Sequence, residues 1–518
     1  LRPLGRGLLI LTMAVSIAVQ TIGAFWYTGT SDARIFAGDS TDMRGAWNPR
    51  NVPFLVVLRD RHAQGELLDS AHSWLDRVGL TLVRSLEEVP RLDPGAVIEG
   101  WALVDGRTPT QLFVLIDGIV IGATSEFFAR ADVNTAMGTT APSGWRVFAD
   151  TWGVQPGERV LQIAVRVGSG GNIRIVHEQR VFVVAPEAAA TSQISANGND
   201  VDAIAARAAF LLREHQTGDG YWLTAHTQDL RYDAPQSEMN TFLTAMLVDM
   251  IGPIAGQQAL DDVVERARTH LAAQIESNGL VRYHGLPDAP TIGILGCIIT
   301  PDADDTALAW RIAGPGADDP RRQPMLAELA RYRDANGLYR TWLSPQDKYE
   351  CINPGRDPNP ADVTIQMNVY LMLRKLDPPA AQELCTALQR AFGDDDNWVY
   401  YAKAPLLPYL RSAELTQLGC ALPLPAERLA AAAPGQESWS EAGSLLLAAL
   451  AAPQDLDVQQ ALRDLLVRIG SDDFAQLRRS PPLLYHNDLT ASVSRFYWSE
   501  DFGYALWLRL YAAAKGIN

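Results

Sequence analysis

Within residues 301–311 (PDADDTALAWR), three carboxylates, Asp302, Asp304 and Asp305, fall in four consecutive positions directly ahead of an apolar run that reads as a helix. Carboxylates crowded in this way raise one another's proton affinity. A carboxylic acid kept protonated near neutral pH is a general acid. The same residues also suit a helix start, because Asp is a favoured N-cap and first-turn acids complement the helix dipole. Capping needs only one acid or hydroxyl per helix, so three carboxylates exceed it. Further acids stand at other helix-like starts: Ser237-Glu238; Asp357, Asn359 and Asp362; Ser440-Glu441; and Ser499-Glu500-Asp501. Asp305 lies 57 residues before Asp362, and Glu441 lies 59 before Glu500.

The elements that position these acids repeat. From residue 201 onward the pattern is helical, with similar turns at QTGDGYW (216–222), ESNGL (276–280), DANGLYRTW (334–342) and DDDNWVYY (394–401). Their markers Gly220, Gly279, Gly337 and Asn397 are separated by 59, 58 and 60 residues. That period fits two helices and two connections per unit. Such units bury their faces by stacking or by closing into a ring. The expectation for 201–518 is five to six helix pairs in an all-α (α/α) barrel, an open helical solenoid being the alternative. In a closed barrel the acidic helix starts would converge on one mouth.

Two motifs in this region resemble the terpenoid cyclase and protein prenyltransferase (α/α) toroid superfamily. Gln216, Gly220 and Trp222 match the Q-x-x-x-G-x-W repeat of squalene–hopene-type cyclases. Asp302, Asp304, Asp305, Thr306 and Ala307 match the D-x-D-D-T-A motif of class II terpene cyclases. The resemblance implies that Asp304 protonates an alkene or epoxide, with Asp302 and Asp305 keeping it acidic. It implies aromatic residues that stabilise a carbocation by cation–π contact, the candidates being Trp310, Trp342, Tyr370, Trp398, Tyr400 and Tyr401. Only one Q-x-x-x-G-x-W is complete, and family members usually hold the acidic motif between two helical domains, whereas one is expected here.

Two other readings stay open. An acidic barrel mouth also suits sugar chemistry with two carboxylates across a cleft: Asp304 or Asp305 with Asp362, Glu238 or Glu441. In that case the chain is a glycan-acting or glycan-binding module. The third reading is a non-catalytic scaffold, in which Asp357, Asn359 and Asp362 offer hard oxygens for Ca²⁺, although not at the spacing of a calcium loop. Across these readings the candidate catalytic residues are Asp302, Asp304, Asp305 and Asp362. The candidate substrate-binding residues are Glu238, Trp310, Trp342, Asp357, Asn359, Tyr370 and Glu441. No cofactor is expected, and no dedicated metal site: there is no phosphate-binding glycine loop, and His226, His284 and His486 lack a paired spacing and read as surface or capping residues.

Ahead of the barrel, residues 95–185 contain strand-like runs at 96–103, 111–118, 119–123, 145–149, 160–166 and 180–184, with glycine- and proline-containing turns between them. This is the pattern of an antiparallel β-sandwich, and it resembles the immunoglobulin-like accessory domains of bacterial surface proteins. Residues 186–200 read as a linker. Residues 28–94 read as a mixed segment with a strand at 54–58 and an amphipathic helix around 66–83.

The chain has 518 residues, enough for two or three domains. Its net charge of −16 disfavours nucleic-acid binding, which draws on excess Lys and Arg. Residues 1–27 are expected to form a transmembrane helix, since positions 8–27 carry no charge, Arg2 and Arg6 precede them, and Trp26 and Tyr27 close them. The chain would then be membrane-anchored with its bulk outside the cytoplasm (periplasmic), partnered by the membrane and by a small isoprenoid or glycan ligand. AVQTIGAFWY and AWNPRNVPF (46–54) also resemble the end of polytopic membrane glycosyltransferases. With Leu at position 1, a processed or truncated chain is expected. Among the four cysteines, Cys297, Cys351, Cys385 and Cys420, one or two disulfides or buried free thiols are both open.

Overall fold

A computed structural model of the chain describes residues 71–79, 81–151, 153–166, 173–184, 200–230, 235–286, 299–316, 318–349, 352, 357–422, 433–487 and 495–516. The expected membrane span at 1–27, the strand at 54–58, Cys297 and Cys351 all lie outside these residues. Among the described residues no helix is long and apolar enough to cross a membrane. Contacts divide the chain into two compact units.

The first unit is built of strands β1 (Ala71–Val78), β2 (Thr81–Leu82), β3 (Arg91–Leu92), β4 (Val97–Val104), β5 (Gln111–Ile116) and β6 (Ile119–Thr124), a short helix α1 (Ala131–Met137), then β7 (Gly144–Phe148), β8 (Gly157–Arg166) and β9 (Ile173–Val183). They form two sheets, ordered β2-β1-β4-β7 and β3-β9-β8-β5-β6, antiparallel except for the β3–β9 pair. Leu75, Ile98 and Trp145 of the first sheet share one core with Val114, Ile163 and Val181 of the second. The helix expected around 66–83 is instead strand over its described part. Leu75 and Val78, three apart, mimic helical spacing. A bulge between Leu75 and Arg77 shifts the alternation, so both side chains face the core. This unit therefore begins well before residue 95.

The second unit holds helices α2 (Val201–His215), α3 (Thr241–Ile251), α4 (Asp261–Ala273), α5 (Ala303–Ala313), α6 (Arg322–Arg331), α7 (Val363–Leu376), α8 (Pro378–Ala391), α9 (Leu406–Gln417), α10 (Glu437–Ala451), α11 (Leu456–Gly470), α12 (Ala475–Arg479) and α13 (Glu500–Ala514). Six of them, α3, α5, α7, α9, α10 and α13, pack each against the next, and α13 packs back on α3, closing a ring. The sequences explain who sits where. Every residue of α5 from Ala303 to Trp310 and of α7 from Val363 to Leu373 is buried. By contrast, α4, α8 and α11 bury a single face, as expected of an outer layer. Cys385 on α8 is disulfide-bonded to Cys420 just beyond α9, with Cα atoms 5.8 Å apart.

The unit is not all helix. Strands β10 (Leu223–Thr227), β11 (Gln236–Met239), β12 (Leu483–Asn487) and β13 (Arg495–Trp498) form a sheet ordered β11-β10-β13-β12, with β13 antiparallel to both β10 and β12, at the entries to α3 and α13. They were hidden because β10 and β11 are short and the sheet is completed by β12 and β13, more than 240 residues further along the chain.

The repeated turns share one geometry. Thr217, Glu276 and Asp334 each donate their N–H to the carbonyl four residues on, and accept from the glycine N–H between. The glycines hold φ of 90°, 85° and 87° at positions 220, 279 and 337. A Cβ at Gly220 would sit 2.6 Å from the Arg266 carbonyl oxygen, and one at Gly279 2.6 Å from that of Arg321. The period of sixty thus marks where each turn abuts the following outer helix. Gln216 completes the first turn by donating to the Gly220 and Val263 carbonyls at 3.1 and 2.9 Å. Gly279→Ala combines a left-handed φ with a backbone clash and is expected to cost roughly 2 kcal/mol or more, read as a fall in thermal midpoint.

Candidate functional site

The residues 302–305 lie where two of these turns meet. Asp302 N–H donates to the Val281 carbonyl at 3.2 Å, and Ala303 N–H to the Thr341 carbonyl at 2.8 Å, so the entry to α5 is pinned from both sides. Asp302 caps the helix, its Oδ1 accepting from the Asp305 N–H at 2.8 Å. The next two carboxylates, about 100° apart around the helix, point to different neighbours. Asp304 Oδ1 accepts from Asn368 Nδ2 of α7 at 2.7 Å, and Oδ2 accepts from the Tyr401 hydroxyl at 3.0 Å. Asp305 accepts from the Thr241 hydroxyl at the start of α3.

All three carboxyls are buried. Burial, then the neighbouring Asp305, push Asp304 up to about 7. Burial pushes Asp305 up to about 6, with Thr241 and Asp302 hydrogen bonds opposing it. Asp302 rises well above the carboxylate range through burial and the charge of Asp305. Asp302 and Asp305 titrate together, and burial favours the protonated form in all three carboxyls. Asp304 is then a buried acid poised to release a proton near neutrality.

Aromatic rings extend from this acid. Tyr401, bonded to Asp304, has its ring centroid 6.5 Å from Phe242 and 6.1 Å from Tyr485. Tyr485 lies 5.1 Å from Phe242 and stacks on Tyr497 at 4.4 Å, and both tyrosines lie 6.3 Å from Tyr283. Of the aromatic candidates read from the sequence, only Tyr401 touches the acid. Trp310 and Trp398 donate their indole N–H groups to the Gly279 and Phe392 carbonyls at 2.7 and 3.1 Å, which makes them braces of the repeat. Tyr370 is buried two residues, about 200°, around α7 from Asn368. Tyr400 is buried beside Asp357 and Asp362, whose charges, after burial, raise its proton affinity.

Other expected site residues are committed elsewhere. Asp362 accepts from the Thr364, Val399 and Tyr400 N–H groups at 2.7, 2.8 and 2.9 Å, so it caps α7 and ties down the 394–401 turn. Asp357 accepts from Trp342 Nε1 and the Asn359 N–H, both at 2.7 Å, and Asn359 clasps the Trp342 backbone through its amide. These three residues thus brace their own loop, with their oxygens already engaged. Glu441 falls in the second turn of α10, its side chain 45% exposed and paired with Arg468 on α11. It does not join the acid cluster. Glu238 does lie nearby, buried with His226 and His284, both expected at the surface yet each only 3% exposed. Phe242, Tyr283, Tyr485, Tyr497, Thr241 and Asn368 were not singled out from sequence. The one available signal was placement: Thr241, Phe242 and Asn368 sit near ring-helix starts, and Tyr283 four residues past a turn glycine.

No protein-family model matches the chain, and no curated protein does either. Among solved structures it is similar to a type II terpene cyclase from Scytonema in its apo form, at 15% identity over 61% of this chain and 99% of that one, with a TM-score of 0.41. A variant of that cyclase with its substrate geranylgeranyl dihydroxybenzoate gives 14% identity over 62% and 99%, TM-score 0.41. A protein from Actinoplanes gives 16% over 61% and 100%, TM-score 0.36.

The carboxyls should separate by stability. Asp362→Ala strands two buried N–H groups and a cap and is expected to cost roughly 3 kcal/mol. Asp304→Asn should leave the thermal midpoint within about 3 °C near pH 6. A carboxyl whose proton affinity rises on folding stabilises the fold most at low pH, and that contribution is lost as pH climbs through about 7. The Asn variant should therefore gain on the parent between about pH 5 and about pH 8, in melting curves taken across that range.

Proposed function

We propose that the helical unit is a terpene-cyclase-like (α/α) toroid in which Asp304 protonates a carbon–carbon double bond of an isoprenoid. The observation that supports this most is the pairing of a buried acid, its proton affinity raised to about 7, with a run of aromatic rings that starts at its own hydrogen-bond partner Tyr401. An alkene is a weak base, so its protonation needs an acid not levelled by water and an environment that tolerates a carbocation. Aromatic faces supply that tolerance without offering a nucleophile. Asp304 gives the proton. Asn368 and Tyr401 hold the carboxyl in place and stabilise the carboxylate left behind. Asp305, ionised and held by Thr241, keeps the Asp304 proton from leaving too early, and Asp302 caps the turn.

The two-carboxylate sugar reading has less support. Asp362 is engaged by backbone N–H groups and Glu441 by Arg468, which leaves Glu238 as the partner for Asp304 or Asp305, and its carboxylate is held by the Tyr283 hydroxyl. As for setting, the first unit suits an immunoglobulin-like accessory module, and the Cys385–Cys420 disulfide favours an oxidising, extracytoplasmic compartment.

Incubation with linear polyprenes in D₂O tests the reading. The parent should place deuterium on the initiating carbon, and Asp304→Asn should lower turnover by at least about 10³-fold at unchanged fold content. Because the acid must carry its proton, kcat should hold below about 7 and fall about tenfold per pH unit above it. Full activity in Asp304→Asn would overturn the reading.

A further inference from the structure

A second buried ionisable constellation stands in the same unit and has no part in the first step. Glu238, on β11, is 3% exposed. Its Oε1 accepts from the Tyr283 hydroxyl at 2.5 Å. Its Oε2 lies 3.4 Å from His284 Nε2 and 3.8 Å from His226 Nε2. Both imidazoles are buried, and neither of those two nitrogens meets a partner in good hydrogen-bond geometry, so polar atoms converge there without being fully satisfied. The rings beside the carboxylate are those that lead away from Asp304. Tyr283 donates to Glu238, the Tyr485 hydroxyl donates to the Tyr283 hydroxyl, and the Tyr485 ring faces Tyr401. Both carboxylate groups are also anchored at the entry to α3, Asp305 through Thr241 and Glu238 through Tyr283, whose hydroxyl accepts from Asn240 at 2.7 Å.

Resting on the cyclase reading above, we propose that Glu238 is the counter-ion and final base of the same reaction: it faces the positive charge gathered on the cyclised chain and removes a proton from it, so the product is an alkene. In the first step Asp304 gives its proton to one alkene carbon: that double bond's π electrons form the new C–H bond and its other carbon becomes cationic. The π electrons of the next double bond then form a C–C bond to that carbon and move the charge inward. In the last step a C–H bond beside the cationic carbon breaks. Its electron pair closes a C=C bond, and the proton passes to Glu238. Water takes that proton from the Glu238–His cluster and water re-protonates Asp304, so the reaction is an isomerisation with no net proton change.

The protonation of the two sites is opposite, as an acid–base pair requires. Burial raises all three aspartates. Burial also works against ionising Glu238, but His284, His226 and Tyr283 outweigh it and hold the carboxyl below its ordinary range. A carboxylate that is buried, ionised and flanked by Tyr283, Tyr485 and Tyr497 matches a diffuse cation better than it matches water.

Two measurements test the assignment. The first uses a C20 prenyl trimethylammonium as a stable mimic of the cation, titrated calorimetrically. Glu238→Gln should weaken its binding roughly 10- to 100-fold, and Asp304→Asn should leave it within about threefold. Equal binding to parent and Glu238→Gln, or no binding to the parent, overturns the proposal. The second follows products from polyprenes in D₂O. Glu238→Gln should still incorporate deuterium but divert product from the parent's alkene to alcohols and alkene isomers, and the parent's product at the parent's rate overturns the proposal. If Glu238→Gln does not fold, Glu238→Asp keeps the charge, withdraws it by one methylene and is expected to show the same changes at smaller size. Glu238-dependent ammonium binding without turnover of any polyprene would mean that the protonation reading fails while the cation site stands.

Discussion

Three carboxyl groups are buried in the first turn of one helix, and the surrounding structure is arranged to hold them there. Isolated buried carboxylates are too costly to keep ionised. The chain answers partly by favouring the protonated form of Asp302 and Asp304, and partly by giving each carboxyl a specific donor: the Asp305 N–H for Asp302, Asn368 and Tyr401 for Asp304, and Thr241 for Asp305. Those donors come from four different ring helices or their entries. The arrangement therefore exists only if the inner helices start at one end, which is what ring closure through the α13–α3 contact secures.

Ring closure in turn rests on the turns. Gly220, Gly279 and Gly337 set the connection between each outer helix and the next ring helix, and Trp222, Trp310 and Trp398 brace it by donating indole N–H groups to nearby carbonyls. The same segments then run into the site. The Gly279 turn leads to Val281, which receives Asp302, and to Tyr283, which holds Glu238. The 394–401 turn, tied by Asp362, delivers Tyr401 to Asp304. Asp362 thus shapes the site through backbone hydrogen bonds.

What could be read from sequence follows from this layering. The helical repeat was legible because its glycines and tryptophans are local requirements that recur at a fixed period. The acid trio was legible because three carboxylates exceed what one cap needs. Rim position alone was a poor guide to role: Asp302, Asp362 and Glu441 all look like acidic helix starts, yet one caps beside the acid, one ties a neighbouring turn and one pairs with Arg468 in solvent. Strand β1 was misread because its bulge gives Leu75 and Val78 a helical spacing. Apart from Tyr401, the aromatic run escaped notice because its members come from α3, the segment after Gly279, and the β12–β13 pair. That adjacency is created by tertiary contact across more than 200 residues.

The Glu238 cluster shows why charge pattern in sequence says little about protonation in the fold. Glu238 and Asp304 are both carboxyls, both buried, and both receive a tyrosine hydroxyl. They differ in their remaining neighbours: carboxylates beside Asp304, imidazoles beside Glu238. Desolvation acts on both in the same direction, so the sign of the nearby charge decides which one keeps its proton. One carboxyl is then driven to keep its proton and the other to give it up within the same helical unit. Neither state requires a metal or an unusual side chain, only that β10 and β11 bring His226 and Glu238 to the same end of the ring at which α5 starts.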